Sequence, residues 1–175
     1  MFNKLVKLNN YSKSNLIKKI ARNLLEKLYC CEINCLEIDE STLFAHHARG
    51  SIIIAAKIFE NVVIFQNVTI GSNMKYNKIK NEWENIGTPI ISKNVVIADG
   101  AKLLGPIIIG ENSIIGAGAI ITKDIPPNSI AFGINQFKPN NKDYDLLFNS
   151  NMVDSKKIIE ANKKAINNFM KLNTI

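Results

Sequence analysis

The sequence is poor in the residues on which most catalytic classes depend. Only two of the 175 residues are histidines, and they are adjacent, His46 and His47. A catalytic zinc site takes about three protein ligands brought together by the fold, so we expect no metal centre. The chain also has no Gly-x-Ser-x-Gly elbow and no cysteine beside a histidine. These absences argue against a covalent acyl-enzyme.

Cysteines and long apolar runs are equally sparse. The three cysteines, Cys30, Cys31 and Cys35, are clustered and odd in number, so we expect buried free thiols in a reducing compartment. The sequence has no signal-peptide pattern and no apolar run long enough to span a membrane. We therefore expect a cytoplasmic protein with no membrane span.

The charge balance limits the class of partner. A net charge of +7 arises from 22 Lys and Arg against 15 Asp and Glu. A basic chain can indicate nucleic-acid binding. Here the lysines are scattered and no basic patch is interleaved with aromatic residues, so we expect no nucleic-acid partner. A phosphorylated small molecule is a sufficient anionic partner.

What the sequence does contain is a six-residue period of large aliphatic residues. The period appears in two runs, Ile52, Ile58, Ile64 and Ile70, and then Ile91, Ile97, Leu103, Ile109, Ile115 and Ile121. Six residues fit neither the helical period of about 3.6 nor the strand period of about 2. They fit short strands that meet at repeated corners. The pattern therefore predicts a mainly β chain folded as a parallel β-helix.

The chain divides into three predicted segments: a helical segment and lead-in coil at 1–40, the β-helix at 41–135 with an excursion loop at 72–89, and a loop and helix at 136–175. Residues 1–13 are predicted to be loose, and Ser14 to cap a helix that runs to about Tyr29. The apolar face of this helix, which we expect to pack on the solenoid or a neighbouring subunit, is Leu16, Ile17, Ile20, Leu24, Leu25 and Leu28. The strand pattern is predicted to stop at Pro126-Pro127, and the C-terminal helix to begin near Asp154.

Two stretches resemble a known family. The repeats end in Ile-Gly-Ala-Gly-Ala-Ile-Ile-Thr-Lys-Asp-Ile-Pro-Pro, which resembles the hexapeptide acyltransferases with a left-handed parallel β-helix. Within that family, His47-Ala-Arg-Gly50 followed by Asn-Val-Val-Ile-Phe-Gln-Asn-Val-Thr-Ile-Gly at 61–71 resembles the serine acetyltransferase branch. The resemblance implies an O-acetyltransferase with acetyl-CoA as donor, assembled as a homotrimer.

The two histidines are the candidate general base, because neutral imidazole can accept a hydroxyl proton near pH 7. The resemblance puts the base three residues before a glycine, which indicates His47 and Gly50. Counting back in sixes from Ile52 instead gives His46. Either one residue is deleted between 47 and 58, or His46 is the base, and we favour His47. The expected acidic partner of the imidazole is Asp39 or Glu40.

The resemblance also implies a coenzyme A site. Ala117 matches a residue whose backbone contacts the pantetheine arm, and Thr122 and Lys123 match residues near the adenine and phosphate end. Asp99, one coil earlier, stands where the family usually has a small residue. Lys138 is placed where a phosphate-binding lysine or arginine often lies.

The acceptor is predicted from departures from the serine branch. That branch has an aspartate where this chain has His46, and a second histidine after the excursion, where this chain reads Gly-Thr-Pro-Ile around Thr88. We therefore expect a sugar hydroxyl in surface polysaccharide or glycan biosynthesis. Tyr76 and Trp83 of the excursion are the candidate substrate-binding residues. Serine, as in cysteine biosynthesis, is the alternative acceptor.

Overall fold

The computed structural model describes residues 1–140. Residues Met1–Pro139 form one compact unit. The predicted C-terminal helix near Asp154 lies outside the described residues. Within the described range, no helix is long and apolar enough to cross a bilayer.

Within residues 1–140, two helices precede seventeen short strands, numbered here along the chain. The helices are α1, Phe2–Tyr11, and α2, Asn15–Tyr29. Face A is β1 Glu32–Ile33, β4 Ile52–Ile53, β7 Thr69–Gly71, β12 Lys102–Leu104 and β15 Ile120–Ile121. Face B is β2 Glu37–Ile38, β5 Lys57–Ile58, β10 Ile90–Ile91 and β13 Ile108–Ile109. Face C is β3 Leu43–Phe44, β6 Val63–Ile64, β11 Val96–Ile97, β14 Ile114–Ile115, β16 Ser129–Phe132 and β17 Gln136–Pro139. A hairpin of β8 Met74–Asn77 and β9 Glu82–Asn85 stands apart.

The strands stack in parallel, so the three faces enclose the core of the solenoid as the sides of a prism. Their register aligns three columns of mostly aliphatic side chains inside it. Face A contributes Ile33, Ile53, Ile70, Leu103 and Ile121, face B contributes Ile38, Ile58, Ile91, Ile109 and Ile125, and face C contributes Phe44, Ile64, Ile97, Ile115 and Ala131. All but Phe44 are buried. Each coil buries its side chains only against the coils above and below. The predicted parallel β-helix is confirmed.

The prediction is wrong for one residue of the six-residue period, Ile52, which does not lie in the core. Ile52 is 45% exposed, whereas Ile53 is fully buried and pairs in register with Ile70. The next residue of the buried columns, Ile58, follows after five positions rather than six. The deletion expected between 47 and 58 therefore lies in the turn from Ile53 to Ile58.

An asparagine ladder that we did not predict runs along the corner between faces B and C. Asn61, Asn94, Asn112 and Asn128 all have left-handed backbones, with φ between 55° and 58°. Each side-chain amide nitrogen donates to the side-chain oxygen of the next asparagine, at 3.3, 2.9 and 3.1 Å. Asparagine tolerates this backbone better than other residues with a Cβ. The ladder therefore supports both the turn and the stacking.

The β-helix begins earlier than predicted and continues past the predicted stop of the strand pattern at Pro126-Pro127. The end of the segment predicted as a lead-in coil, residues 32–40, carries β1 and β2 of the first coil, and β3 completes that coil. Pro126-Pro127 do not end the pattern, because β16 continues face C in parallel with β14. The proline pair crosses directly over Gly110, where a Cβ would lie 2.3 Å from the backbone nitrogen of Pro127. Only glycine fits at that crossing.

The N-terminal helices also differ from expectation. Residues predicted to be loose form α1, and its Phe2, Leu5 and Val6 are buried. The second helix is confirmed, with the Ser14 hydroxyl accepting from the Ile17 amide at 3.4 Å. Its buried residues are Ala21, Leu25 and Tyr29. Of the six residues of the predicted packing face, Leu25 is buried, and Leu16, Ile17, Ile20, Leu24 and Leu28 are exposed.

The three cysteines are free but not alike. Cys31 is buried, and burial raises the pKa of its thiol to about 12. Cys35 is partly buried, and burial raises its pKa to about 11. Cys30 is exposed, which contradicts the prediction of three buried thiols, because it forms the left-handed C-cap of α2 at φ 51°.

Candidate active site

The two histidines lie in a turn that breaks the regular repeat. Nine positions separate Phe44 of face C from Ile53 of face A, so this corner holds three residues more than the usual hexad. A short 3₁₀ turn, Ala45–Ala48, occupies it, with φ of 52° at His46, 59° at His47 and 45° at Ala48. Three successive non-glycine residues in this region hold backbone strain, of the kind found at functional sites. Both imidazoles are exposed.

The two imidazoles have different neighbours. The His47 ring lies 5.2 Å from the ring of Phe2 and 5.3 Å from the ring of Tyr29, so it packs against both N-terminal helices. The His46 ring lies 6.3 Å from the ring of Phe65, on the next coil. His47 is thus oriented by aromatic packing, and His46 lies nearer the stack of coils.

The expected acidic partners are engaged elsewhere. Asp39 accepts hydrogen bonds from the Ser41 hydroxyl at 2.6 Å and the Ser41 amide at 2.9 Å, which hold the pKa of Asp39 below its usual range. Glu40 pairs with the Lys7 ammonium at 2.9 Å. No carboxylate within residues 1–140 forms an ion pair with either imidazole. The expectation that Asp39 or Glu40 orients the base is therefore not met among residues 1–140.

From the histidine turn, one corner of the prism continues through every coil between faces C and A. We call it the histidine edge; its residues are His46, His47, Gln66, Asn67, Asp99, Gly100, Ala117, Gly118 and Gly133. Successive coils are joined by hydrogen bonds from the Asn67 amide to the Arg49 carbonyl at 2.8 Å and from the Gly118 amide to the Asp99 carbonyl at 2.8 Å. The structure thus places His46, His47, Asp99 and Ala117 on a single line.

Three coils from the histidines, the histidine edge carries only small residues and leaves its backbone accessible. Ala117 and Gly118 are exposed, and a Cβ built on Gly118 meets no atom within 4 Å. One coil nearer the histidines, the Asp99 carboxylate accepts a hydrogen bond from the Asn67 side-chain amide at 3.1 Å. The unusual carboxylate is therefore fixed by a neighbour on the edge, and the backbone beside it stays accessible.

Gln66 is a polar residue of the histidine edge that the sequence analysis did not single out. It lies between the histidine turn and Asp99, in register with Asp99 on the next coil. Its side-chain oxygen is shielded from solvent and has no hydrogen-bond partner among the described residues. A buried acceptor without a partner costs free energy unless a ligand or water satisfies it. The available signal was its place in the Phe-Gln-Asn-Val-Thr-Ile-Gly stretch that carries the resemblance.

The remaining cofactor candidates lie at the last coils. The Asn135 side-chain oxygen accepts a hydrogen bond from the Thr122 amide at 2.7 Å, and its side-chain nitrogen donates one to the Thr122 hydroxyl at 2.9 Å. Thr122 is therefore held by the residue that precedes β17. Lys123 follows it and is exposed. Lys138 of β17 is exposed, and its ammonium lies 6.0 Å from the ring of Phe132. Ala117 lies at the histidine edge before face A of its coil, whereas Thr122 and Lys123 follow the end of that face and are not on the histidine edge.

The excursion is a hairpin rather than a loop, and it leaves from a different corner. It follows Gly71 of face A and returns before β10 of face B. Tyr76 and Trp83 face each other across it at 5.3 Å between ring centroids, 40% and 65% exposed. The structure therefore brings these two rings together but does not place them on the histidine edge of the same chain.

No group of three or more His, Cys, Asp or Glu side chains in residues 1–140 is arranged to hold a metal ion.

Comparison with known proteins agrees with this architecture. The model of the family described as bacterial transferase hexapeptide (six repeats) matches residues 88–123. A Schizosaccharomyces pombe protein named as an acetyltransferase is 34% identical over 145 residues, which cover 72% of this chain and 69% of that protein. The chain belongs to the hexapeptide-repeat acyltransferases. Its relatives support the serine acetyltransferase-like branch of that family.

Other members match over shorter stretches. The serine acetyltransferase of Mycobacterium tuberculosis is 36% identical over 93 residues, covering 53% of this chain and 38% of that protein. The galactoside O-acetyltransferase of Escherichia coli is 40% identical over 80 residues, covering 44% and 39%. The chain thus spans well under half the length of these two acyltransferases.

Structural comparison assigns the hand of the solenoid. The crystal structure of Neisseria gonorrhoeae serine acetyltransferase matches with a TM-score of 0.58 at 24% identity, over 79% of this chain and 51% of that chain. The hexapeptide fold shared with that acyltransferase is the left-handed parallel β-helix predicted from the sequence.

Proposed function

We propose that this hexapeptide acyltransferase is a cytoplasmic O-acetyltransferase that transfers acetyl from acetyl-CoA to a sugar hydroxyl, in surface polysaccharide or glycan biosynthesis. The observation that carries the proposal is the histidine edge. It has exposed imidazoles at one end and bare backbone at Ala117 and Gly118 three coils away. Coils are spaced by about 4.8 Å, so this separation is about 14 Å along the edge. A long, thin donor with its thioester at one end suits such a surface.

The lysines of the last coils support the same orientation. Lys123 and Lys138 are exposed and belong to the end of the solenoid away from the histidines. Neither forms an ion pair with a described residue. Free ammonium groups there can meet the phosphates of coenzyme A while its thioester lies near the histidines. Ala117 would contact the pantetheine arm through its backbone, and Thr122 the far end of the cofactor.

The proposed chemistry is direct transfer. An imidazole of the histidine turn, which we assign to His47, accepts the proton of the acceptor hydroxyl as its oxygen attacks the thioester carbonyl carbon. The carbon–sulfur bond then breaks, and the proton passes to the departing thiolate.

We further propose that the working unit is a homotrimer. The histidine edge is open on its outer side, so one subunit contacts only one side of a long ligand bound there. A neighbouring subunit would supply the contacts on the other side. Tyr76 and Trp83 leave from another corner and would reach a histidine turn only across such an interface. Light scattering is expected to give a trimer at micromolar concentration. A fully active monomer would contradict this assembly.

A sugar is the preferred acceptor because of what surrounds the histidines. A zwitterionic amino acid needs dedicated partners for its carboxylate and ammonium, and a site without them discriminates poorly. This chain has His46 and Thr88 where the serine branch is expected to carry an aspartate and a histidine. The exposed Tyr76–Trp83 pair suits stacking on a sugar ring. The name of the Escherichia coli relative, a galactoside O-acetyltransferase, supports the same class.

The second candidate acceptor is serine, and the names of the relatives favour it. The Mycobacterium tuberculosis and Neisseria gonorrhoeae proteins are both named as serine acetyltransferases. The deciding experiment compares kcat/KM for L-serine with kcat/KM for sialic acid and a panel of hexoses. The rate is monitored by the release of the free thiol from acetyl-CoA. We expect a sugar to exceed serine. A serine value equal to or above every sugar would make serine the acceptor.

A further inference from the structure

Nearly all of the net charge of the chain sits on its first two helices. Residues 1–29 hold seven basic side chains and one acidic side chain, so they contribute +6 of the total +7. The basic residues are Lys4, Lys7, Lys13, Lys18, Lys19, Arg22 and Lys27, and the acidic residue is Glu26. Lys7 is the one of them with a salt bridge among residues 1–140, to Glu40. Residues 30–140 hold nine basic and ten acidic side chains, so the β-helix is close to neutral.

The same segment carries an exposed apolar stripe on α2. Leu16, Ile17, Ile20, Leu24 and Leu28 are 68%, 41%, 50%, 37% and 47% exposed. At about 100° per residue they fill one arc of about 120°, next to the arc of Ala21, Leu25 and Tyr29 that packs inward. The stripe is about 18 Å long. An exposed apolar surface of this kind marks an interaction site.

We propose that α2 docks on an anionic lipid surface, with its axis in the plane of the interface. Lys27 lies within the apolar arc, Lys19 lies beyond one border and Lys13 immediately precedes the helix, where they can reach lipid phosphates while the stripe enters the acyl boundary. The charge favours this occupant over a second copy, because two such helical pairs would oppose +6 to +6. At fifteen residues the helix lies on the surface and does not cross it.

Docking of α2 would also bring the histidine turn close to the lipid surface. Tyr29, the last residue of α2, contacts His47, so the histidine edge begins where the docked helix ends. If the proposed sugar acetylation is correct, a glycan carried on a membrane lipid would be within reach of the imidazole. The membrane interaction itself stands on the charge and the stripe, and it is measured without acetyl-CoA or an acceptor.

The test is flotation of the full chain with phosphatidylcholine vesicles, with and without about one third phosphatidylglycerol. We expect binding to the anionic vesicles that weakens with salt, and little binding to neutral ones. Ile20→Gln/Leu24→Gln removes the centre of the stripe without changing charge or helix propensity, and is expected to weaken binding at least tenfold. Lys19→Gln/Lys27→Gln should weaken it about fivefold for each charge removed. Ile79→Gln, at a 96% exposed isoleucine of the hairpin, is the matched control and should bind as wild type does.

Three results would overturn the proposal. One is the absence of binding to anionic vesicles, and another is equal binding to neutral ones. The third is a second copy on the stripe: in the absence of lipid, Ile20→Gln/Leu24→Gln would then lower the molar mass found by light scattering. Circular dichroism shows whether each variant is folded, and these positions are solvent-exposed, so substitution should leave the fold intact.

Discussion

Removing the middle of the asparagine ladder should destabilise the β-helix more than removing its end. Asn112 accepts a hydrogen bond from Asn94 at 2.9 Å and donates one to Asn128 at 3.1 Å, with φ at 57°. Each bond contributes about 0.5–1.5 kcal/mol, and a left-handed alanine costs about 1–2 kcal/mol. We therefore expect Asn112→Ala, which loses both bonds and keeps a strained backbone, to lower the free energy of unfolding by about 2–5 kcal/mol. Asn112→Gly avoids the backbone strain and should lower it by about 1–3 kcal/mol.

The end of the ladder provides the matched control. Asn128 makes one ladder bond, so Asn128→Gly should lower the free energy of unfolding by about 0.5–1.5 kcal/mol. The assay is urea unfolding followed by circular dichroism at constant protein concentration. If Asn112→Gly were as stable as wild type, or if Asn128→Gly were as costly, the ladder would not stabilise the coils as described.

Three further results follow from local geometry. Gly110→Ala should prevent normal folding or lower the melting temperature by more than 10 °C, because its Cβ would lie 2.3 Å from backbone of the next coil; a normal melting curve would contradict this. Iodoacetamide at pH 8 should label Cys30 well before Cys31, whose pKa burial raises to about 12; mass spectrometry of tryptic peptides reports the order. The depressed pKa of Asp39 adds stability that is present above its unfolded pKa and is lost as pH falls through the folded one; Ser41→Ala should return the pKa towards normal in an NMR titration.

The solenoid was predictable because large aliphatic residues recur every six positions in each of the two runs. The inward-facing residues of these runs from Ile58 to Ile121 were all identified from that spacing, and all are buried. The one-residue slip at Ile52 was not predictable, since Ile52, Ile53 and Ile54 are equally apolar and only the stacking register selects Ile53. The asparagine ladder was visible in the sequence, three positions before each aliphatic residue of face C, but its meaning depends on the left-handed corner.

The helices and the site were predictable only in part. The apolar residues of α2 suggested one packing face, yet the helix buries the neighbouring arc centred on Leu25, and periodicity does not say which part of a wide arc is covered. The alignment of His46 with Asp99 and Ala117 follows from the coil register. The hairpin that carries Trp83 leaves from another corner, and this depends on where the two runs break, not on the residues of the excursion.

The most direct test of acyl transfer at the histidine edge is the rate of acetyl transfer by His47→Ala beside His46→Ala, with the affinity for coenzyme A measured by calorimetry on the same samples. We expect His47→Ala to lower kcat/KM by about 10²–10⁴, the usual contribution of a general base, with coenzyme A affinity unchanged. Circular dichroism must match wild type, since His47 also packs on Phe2 and Tyr29. Wild-type rates in both variants would contradict a catalytic role for the edge, and loss of activity in His46→Ala alone would transfer the role of base to His46.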